Sequence, residues 1–142
     1  MPQNPPRGYH TVTPQSVVAE PRQVIDFTRQ VLGATLDDQY VVDDVIVHAE
    51  IVLGDSRIMI GASNDDYPPM PLSTHTYVDD VDAVYERAIE FGATSIQPPT
   101  DQFYGDRTGV VRDTQGNQWS LATAVENVSQ EEMRRRLAEM SG

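Results

Sequence analysis

The stretch PRQVIDFTRQVLGAT, residues 21–35, decides the fold, because the tripeptide that closes it returns: Gly33-Ala34-Thr35 recurs as Gly92-Ala93-Thr94, 59 residues later. Val24, Phe27, Val31 and Leu32 share one side of a helix turning every 3.6 residues. Pro21 suits the first helical turn, where its missing N–H is no loss. Gly33 stands where a left-handed C-terminal cap is expected. The second copy ends the stretch DVDAVYERAIEFGAT, residues 80–94. There Asp80 is the expected N-cap, and Val81, Val84, Ala88 and Phe91 form the apolar stripe. A chain that repeats a helix end at fixed spacing is built from two modules.

Outward from each helix the period changes to two. Residues 11–18 precede the first helix as a strand, and residues 39–42, 45–53 and 57–61 follow it, the last two joined by a turn at Gly54-Asp55-Ser56. Residues 73–78 precede the second helix. A short extended segment near 95–97, then 109–113, a turn at 114–117 and 118–123 follow it. The order βαβββ occurs twice. Asn, Asp and Pro residues make 63–71 the hinge between modules. Ser129 followed by Glu132 predicts a capping box ahead of Met133, Leu137 and Met140. This last helix stands outside the repeat, and its Arg134-Arg135-Arg136 run reads as a solvated face. The expectation is an α+β domain over residues 1–142, with module one at about 9–62, module two at about 72–124 and a C-terminal helix at about 129–140. Its mixed sheets curve around a cavity.

Composition narrows the chemistry. With 142 residues, 39% of them hydrophobic, the chain can bury a core. No run approaches the roughly 20 apolar residues of a membrane span, and the first residues lack a signal-peptide pattern. A cytoplasmic protein without a membrane partner is expected. Cysteine is absent and all ten basic residues are arginine, which excludes disulfides, thiolate chemistry and lysine Schiff bases. A net charge of −12 argues against nucleic acid as a partner and favours solubility or attraction of a cation. No G-x-S-x-G turn, G-x-G-x-x-G string or Walker A string occurs, so a serine-hydrolase elbow and a phosphate loop lack support.

Strand alternation separates two faces. Ala49, Ile51 and Leu53, Ile58 and Ile60, Thr76 and Val78, and Trp119 and Leu121 can lie under helices. Trp119 is therefore expected in the core. The opposite face carries Thr11, Thr13 and Gln15; His48, Glu50 and Val52; Arg57, Met59 and Gly61; Ser73, His75 and Tyr77; and Gln118, Ser120 and Ala122. Such a polar mixture suits a partly wet pocket wall, since buried polar groups need partners. An ordinary half-solvated sheet is the structural alternative. Residues 98–108, with Phe103 and Tyr104 beside an Asp106-Arg107 pair, read as a loop that either closes over a ligand or packs on itself. His10 is read as incidental.

Six groups of strings resemble the vicinal oxygen chelate superfamily, which includes glyoxalase I, extradiol dioxygenases and bleomycin-resistance proteins. They are VTP (12–14), VIDF (24–27) leading to LGA (32–34), HAE (48–50) with GDS (54–56), YVDDVDAV (77–84), FYGDR (103–107) and RDTQGNQW (112–119). Within it the chain looks most like the PhnB-like, glyoxalase/bleomycin-resistance-like branch. The resemblance covers the chain from about Thr11 to the C-terminal helix. In metal-dependent members, inward positions of four strands hold an ion, and the matching positions here are Thr13, Met59, Ser73 and Ser120. Two serines, a threonine and a thioether are not a ligand set for a divalent cation. A displaced set of His48, Glu50 and His75 is the sharpest metal alternative.

The resemblance thus implies the fold and a cavity, and with the ligand positions so changed the leading expectation is a metal-free small-molecule binding protein without a cofactor, in the manner of bleomycin-resistance proteins. It would sequester or sense a small amphipathic or cationic compound, with a lining of Thr13, Gln15, His48, Glu50, Arg57, Met59, Ser73, His75, Tyr77, Gln118 and Ser120. It also implies a homodimer. The alternative is a glyoxalase-like or dioxygenase-like enzyme (lyase, isomerase or dioxygenase) using the displaced metal set. A further form is metal-free acid–base catalysis by Glu50 with His48 or His75, with Arg57 steadying an anion.

Overall fold

The computed structural model describes residues 1–141. Its first half contains β1 (Gln15–Val18), α1 (Pro21–Leu32), β2 (Thr35–Val42), β3 (Val45–Leu53) and β4 (Ser56–Ala62). The second contains β5 (Ser73–Tyr77), α2 (Val81–Glu90), β6 (Thr94–Asp101), β7 (Asp106–Arg112) and β8 (Gln118–Ala124), with α3 (Gln130–Ser141) at the end. The sheets have the orders β1-β4-β3-β2 and β5-β8-β7-β6. In each, the first strand runs parallel to the fourth and the other neighbours are antiparallel. The same mixed sheet built twice is what the repeated tripeptide implied. The chain divides into two compact units, Met1–Leu72 with Asp113–Asn117, and Ser73–Arg112 with the residues from Gln118 onward.

In the first unit α1 packs on β3 and β4. Val24, Phe27 and Val31 on the helix are buried, as are Ala49, Ile51, Ile58 and Ile60 on the strands. Each large apolar side chain so removed from water stabilises the fold by about 1.5–3 kcal/mol. Pro21 opens α1 and Gly33 closes it with φ 75°, as the sequence predicts. The β2–β3 connection uses Asp43 and Asp44, both at positive φ (50° and 62°); a two-residue hairpin turn needs this, and Asp tolerates it better than most residues.

Two expectations for this unit are corrected. Strand β1 starts at Gln15 rather than residue 11, because ladder pairing with β4 begins at Gln15 opposite Met59 and Pro14 has no N–H to extend it. The segment 63–71 is anchored as well as irregular, since Met70 and Val17 exchange backbone hydrogen bonds of 2.8 and 3.1 Å. The turn 113–117 also belongs to this unit. Its Asn117 is fully buried, accepts from Ser16 Oγ at 2.6 Å and the Leu72 N–H at 2.9 Å, and donates to Asp113 at 3.0 Å.

In the second unit α2 packs on β6, β7 and β8. Asp80 caps it by accepting from the Ala83 N–H at 3.2 Å. Trp119, Leu121 and Val111 are fully buried, and Val81, Val84 and Ala88 of the helix are buried against them. Phe91, expected on that stripe, is 44% exposed, because it is the C-cap residue where the helix ends. The larger correction concerns residues 98–108. Strand β6 runs through Pro98 and Pro99 to Asp101, and β7 starts at Asp106, leaving only 102–105 as loop. Proline is compatible with β6 because this is an edge strand whose pairing is irregular between Gln97 and Thr100.

Ser129 caps α3 by accepting from the Glu132 N–H at 3.1 Å. Arg136 is not simply a solvated residue of its helix. It donates to the Phe103 carbonyl at 2.8 Å and to the Glu126 carboxylate at 2.9 and 3.0 Å. Among the described residues no helix is long and apolar enough to cross a membrane.

Candidate functional site

Register assigns the faces. In the first sheet His48 lies opposite Gly61, Glu50 opposite Met59 and Val52 opposite Arg57, while Ala49 and Ile51 meet Ile60 and Ile58. Directly paired residues share a face, so His48, Glu50, Arg57 and Met59 stand together, away from the helix side. Gln15 joins them: a Cβ on Gly61 would lie 3.5 Å from Gln15 Nε2. Thr13 precedes β1 and is half-buried.

The carboxylate on this face is almost covered, with Glu50 8% exposed. The N-terminal arm reaches it, the Tyr9 hydroxyl donating to Glu50. Arg57 lies over the same ring, its guanidinium carbon 4.5 Å from the centroid, and pairs with Asp37 at 2.6 Å. The bond to Glu50 and, next, desolvation raise the Tyr9 pKa, so the phenol stays protonated. His48 stands beside Tyr40, ring centroids 5.9 Å apart.

In the second sheet Ser73 lies beside Gln118, His75 beside Ser120 and Tyr77 beside Ala122. Across the next pair, Val110 meets Ser120, Thr108 meets Ala122 and Asp106 meets Ala124. The polar face of this unit is therefore Ser73, His75, Tyr77, Gln118 and Ser120, joined by Thr108 and Asp106. Asp106 is 7% exposed. It accepts from the Tyr77 hydroxyl at 2.9 Å and lies 3.1 Å from His75 Nε2. The hydrogen bond to Asp106, followed by desolvation, raises the Tyr77 pKa. His75 contacts the rings of Tyr77 and Tyr104 at centroid distances of 5.1 and 6.4 Å.

Asp106 corrects the sequence expectation, which paired it with Arg107. Neighbouring strand residues point to opposite faces, so Arg107 turns to Asp82 and Asp101 while Asp106 joins the histidine and tyrosine. The alternation Asp106, Thr108, Val110 was the available signal; reading 98–108 as loop concealed it. Tyr9 left no local signal, because its partner is 41 residues away.

The positions matching the family's ligand set do not fit a metal. Thr13, Met59, Ser73 and Ser120 present hydroxyls and a thioether, without a carboxylate or imidazole to supply charge or a nitrogen donor. The displaced set is divided between the two units. His48 and Glu50 belong to the first unit and His75 to the second, and no three His, Cys, Asp or Glu among the described residues form a group able to hold an ion. No reaction step through a metal follows from these residues.

Comparison with known proteins agrees with the fold. The family model described as "Glyoxalase/Bleomycin resistance protein/Dioxygenase superfamily" matches residues 10–121. An uncharacterized protein of Mycobacterium tuberculosis is 33% identical over 137 residues, covering 86% of this chain and 79% of that protein. Among solved structures, TioX from Micromonospora sp. ML1 superposes with TM-score 0.69 at 23% identity, covering 80% of this chain and 98% of TioX. A glyoxalase/bleomycin resistance protein/dioxygenase family enzyme from Burkholderia phytofirmans superposes with TM-score 0.65 at 19% identity, covering 78% and 95%.

Proposed function

Because this chain belongs to the Glyoxalase/Bleomycin resistance protein/Dioxygenase superfamily, we propose that it is a metal-free small-molecule binding protein. In the manner of bleomycin-resistance proteins, it sequesters or senses a small amphipathic or cationic compound in the cytoplasm. One observation carries this reading: Asp106, 7% exposed on a polar sheet face, is held by a phenol and an imidazole rather than by a guanidinium. A carboxylate so placed offers its oxygens to an incoming cation, and the Tyr77, His75 and Tyr104 rings offer π-faces to the same ligand. The net charge of −12 speeds capture of a cation at low salt, an advantage that fades as salt is added. The PhnB-like branch and a homodimer are part of this proposal. The exposed apolar tip of the β2–β3 hairpin, with Tyr40, Val41, Val42 and Val45 each more than 50% exposed, supports a second copy as partner.

The test is a thermal-shift screen of amphipathic ammonium compounds in the presence of a chelator, since a ligand of the native state raises the midpoint. Hits should persist in chelator and bind at least about tenfold more weakly to Asp106→Asn, the loss of roughly one charge-assisted contact. Stoichiometric metal in protein purified without chelator, lost in His75→Ala, would overturn the reading. A second reading, metal-free acid–base catalysis, is favoured by the contact of His75 Nε2 with Asp106, a geometry that orients an imidazole. Mass spectrometry of each bound compound after incubation separates the two, because binding alone returns it unchanged.

A further inference from the structure

We infer that the polar face of the first sheet is a binding site for neutral hydroxyaromatic compounds, filled in this structure by the chain's own Tyr9. The inference rests on reading the polar faces as ligand-binding surfaces, and names the ligand class for one of them.

The arm that carries Tyr9 has no helix or strand, yet Tyr9 is held on the sheet face as a bound phenol would be. Its hydroxyl donates to Glu50, the carboxylate of that face. Its ring lies against the Arg57 guanidinium, 4.5 Å from the centroid, which is a cation–π arrangement. Asp37 fixes Arg57 from the side at 2.6 Å, so the cation is in place whether or not a ring lies on it. Met59, directly opposite Glu50 in the ladder, adds a soft, adaptable apolar surface. A hydrogen-bond acceptor, a cation on the π-face and a thioether together recognise a ring bearing a donor. An anionic compound would face Glu50, and an aliphatic one would leave the guanidinium without a π-partner.

The arm itself is shaped for delivery. A turn closes by the Tyr9 N–H donating to the Pro6 carbonyl at 3.0 Å. Gly8 has φ +88°, and a Cβ there would lie 3.2 Å from Arg57 Nη2. Both the left-handed backbone and the close approach favour glycine at this point. Arg57 Nε also donates to the Gly8 carbonyl at 3.3 Å. Attached to the chain, Tyr9 competes with free ligand at the high effective concentration of any tethered group. A free phenol therefore binds the unmodified protein weakly and binds tightly once the tethered ring is removed.

The experiment uses the Tyr9→Ala and Tyr9→Phe variants of the 142-residue chain with p-cresol, which is the tyrosine side chain as a free molecule, and toluene as the ring without a hydroxyl. Titration calorimetry should show p-cresol binding Tyr9→Ala at least tenfold more tightly than wild type, with toluene at least tenfold weaker than p-cresol. Tyr9→Phe keeps the ring but lacks the donor to Glu50, so its p-cresol affinity should fall between wild type and Tyr9→Ala; it serves alone if the alanine variant is unstable. Adding Glu50→Leu should abolish the gain, and adding Asp106→Asn should leave it intact. Equal p-cresol affinity in wild type and both Tyr9 variants, or equal affinity for toluene and p-cresol, would overturn the inference. If cationic compounds bind through Asp106 while p-cresol fails, only this inference falls; if neither binds, the reading beneath it falls too.

Discussion

Replacing Gly105 by alanine should damage both stability and ligand binding, by an amount the structure allows to be worked out. Gly105 has φ +101°, and a Cβ there would stand 2.3 Å from the Glu126 carbonyl oxygen and 3.1 Å from Val128 Cγ2. Its own carbonyl accepts from the Val125 and Glu126 N–H groups at 2.9 and 3.0 Å, so the crowded backbone cannot move without straining those bonds. The left-handed conformation costs an alanine about 1–2 kcal/mol, and forcing an extra carbon into packed surroundings costs about 1–3 kcal/mol more. The sum, about 2–5 kcal/mol, corresponds to a fall in thermal midpoint of roughly 5–15 °C for a chain of this size. Trp119, the single tryptophan and fully buried, reports unfolding of this unit by fluorescence in urea. Gly54→Ala is the control, because Gly54 has φ +61° with nothing within 4 Å of the added carbon; it should lose only about 1–2 kcal/mol. If the two variants lose the same stability within about 0.5 kcal/mol, the crowding argument is refuted. Since Gly105 sits between Tyr104 and Asp106, the alanine variant should also bind cationic ligands less tightly.

Further expectations follow from other contacts. Asn117→Ala removes the acceptor of the buried Ser16 hydroxyl and the Leu72 N–H; two groups left without partners cost roughly 2–5 kcal/mol, measurable by urea unfolding. Tyr77 is held protonated by its bond to Asp106. Its contribution is complete below the ordinary value of 10.0 and is lost as pH rises through the higher folded value. A near-ultraviolet titration should show Tyr77 ionising late, and earlier in Asp106→Asn. Glu132 is drawn down to about 2, first by Arg135 and then by Arg136, so its contribution is present above its ordinary 4.5 and lost as pH falls toward 2. Circular dichroism should show α3 fraying across that window in wild type, and not as a step in Glu132→Gln.

What the sequence revealed, and what it hid, follows the range of each interaction. Ala49, Ile51, Ile58 and Ile60 are fixed by alternation against one helix, so register and face were legible in β3 and β4. The two helix ends were legible because a glycine cap and an Asp cap are local devices. Residues 98–101 misled because Pro98 and Pro99 read as loop, while the edge position that tolerates them is a property of the whole sheet. Of the polar faces, His48, Glu50, Arg57, Met59, His75 and Tyr77 were placed by period two alone. Asp106 and Tyr9 were not, because the first lay in a strand read as a loop and the second acts through an arm with no periodicity to read.

The burial of Asn117 has a consequence for synthesis. Ser16 and Leu72 emerge from the ribosome long before the residue that completes their hydrogen bonds. A nascent chain halted after Leu72 would have every strand of its sheet and still lack its keystone. The amino-terminal unit thus reaches its final form only after all of Ser73–Arg112, which belongs to the other unit, has been translated.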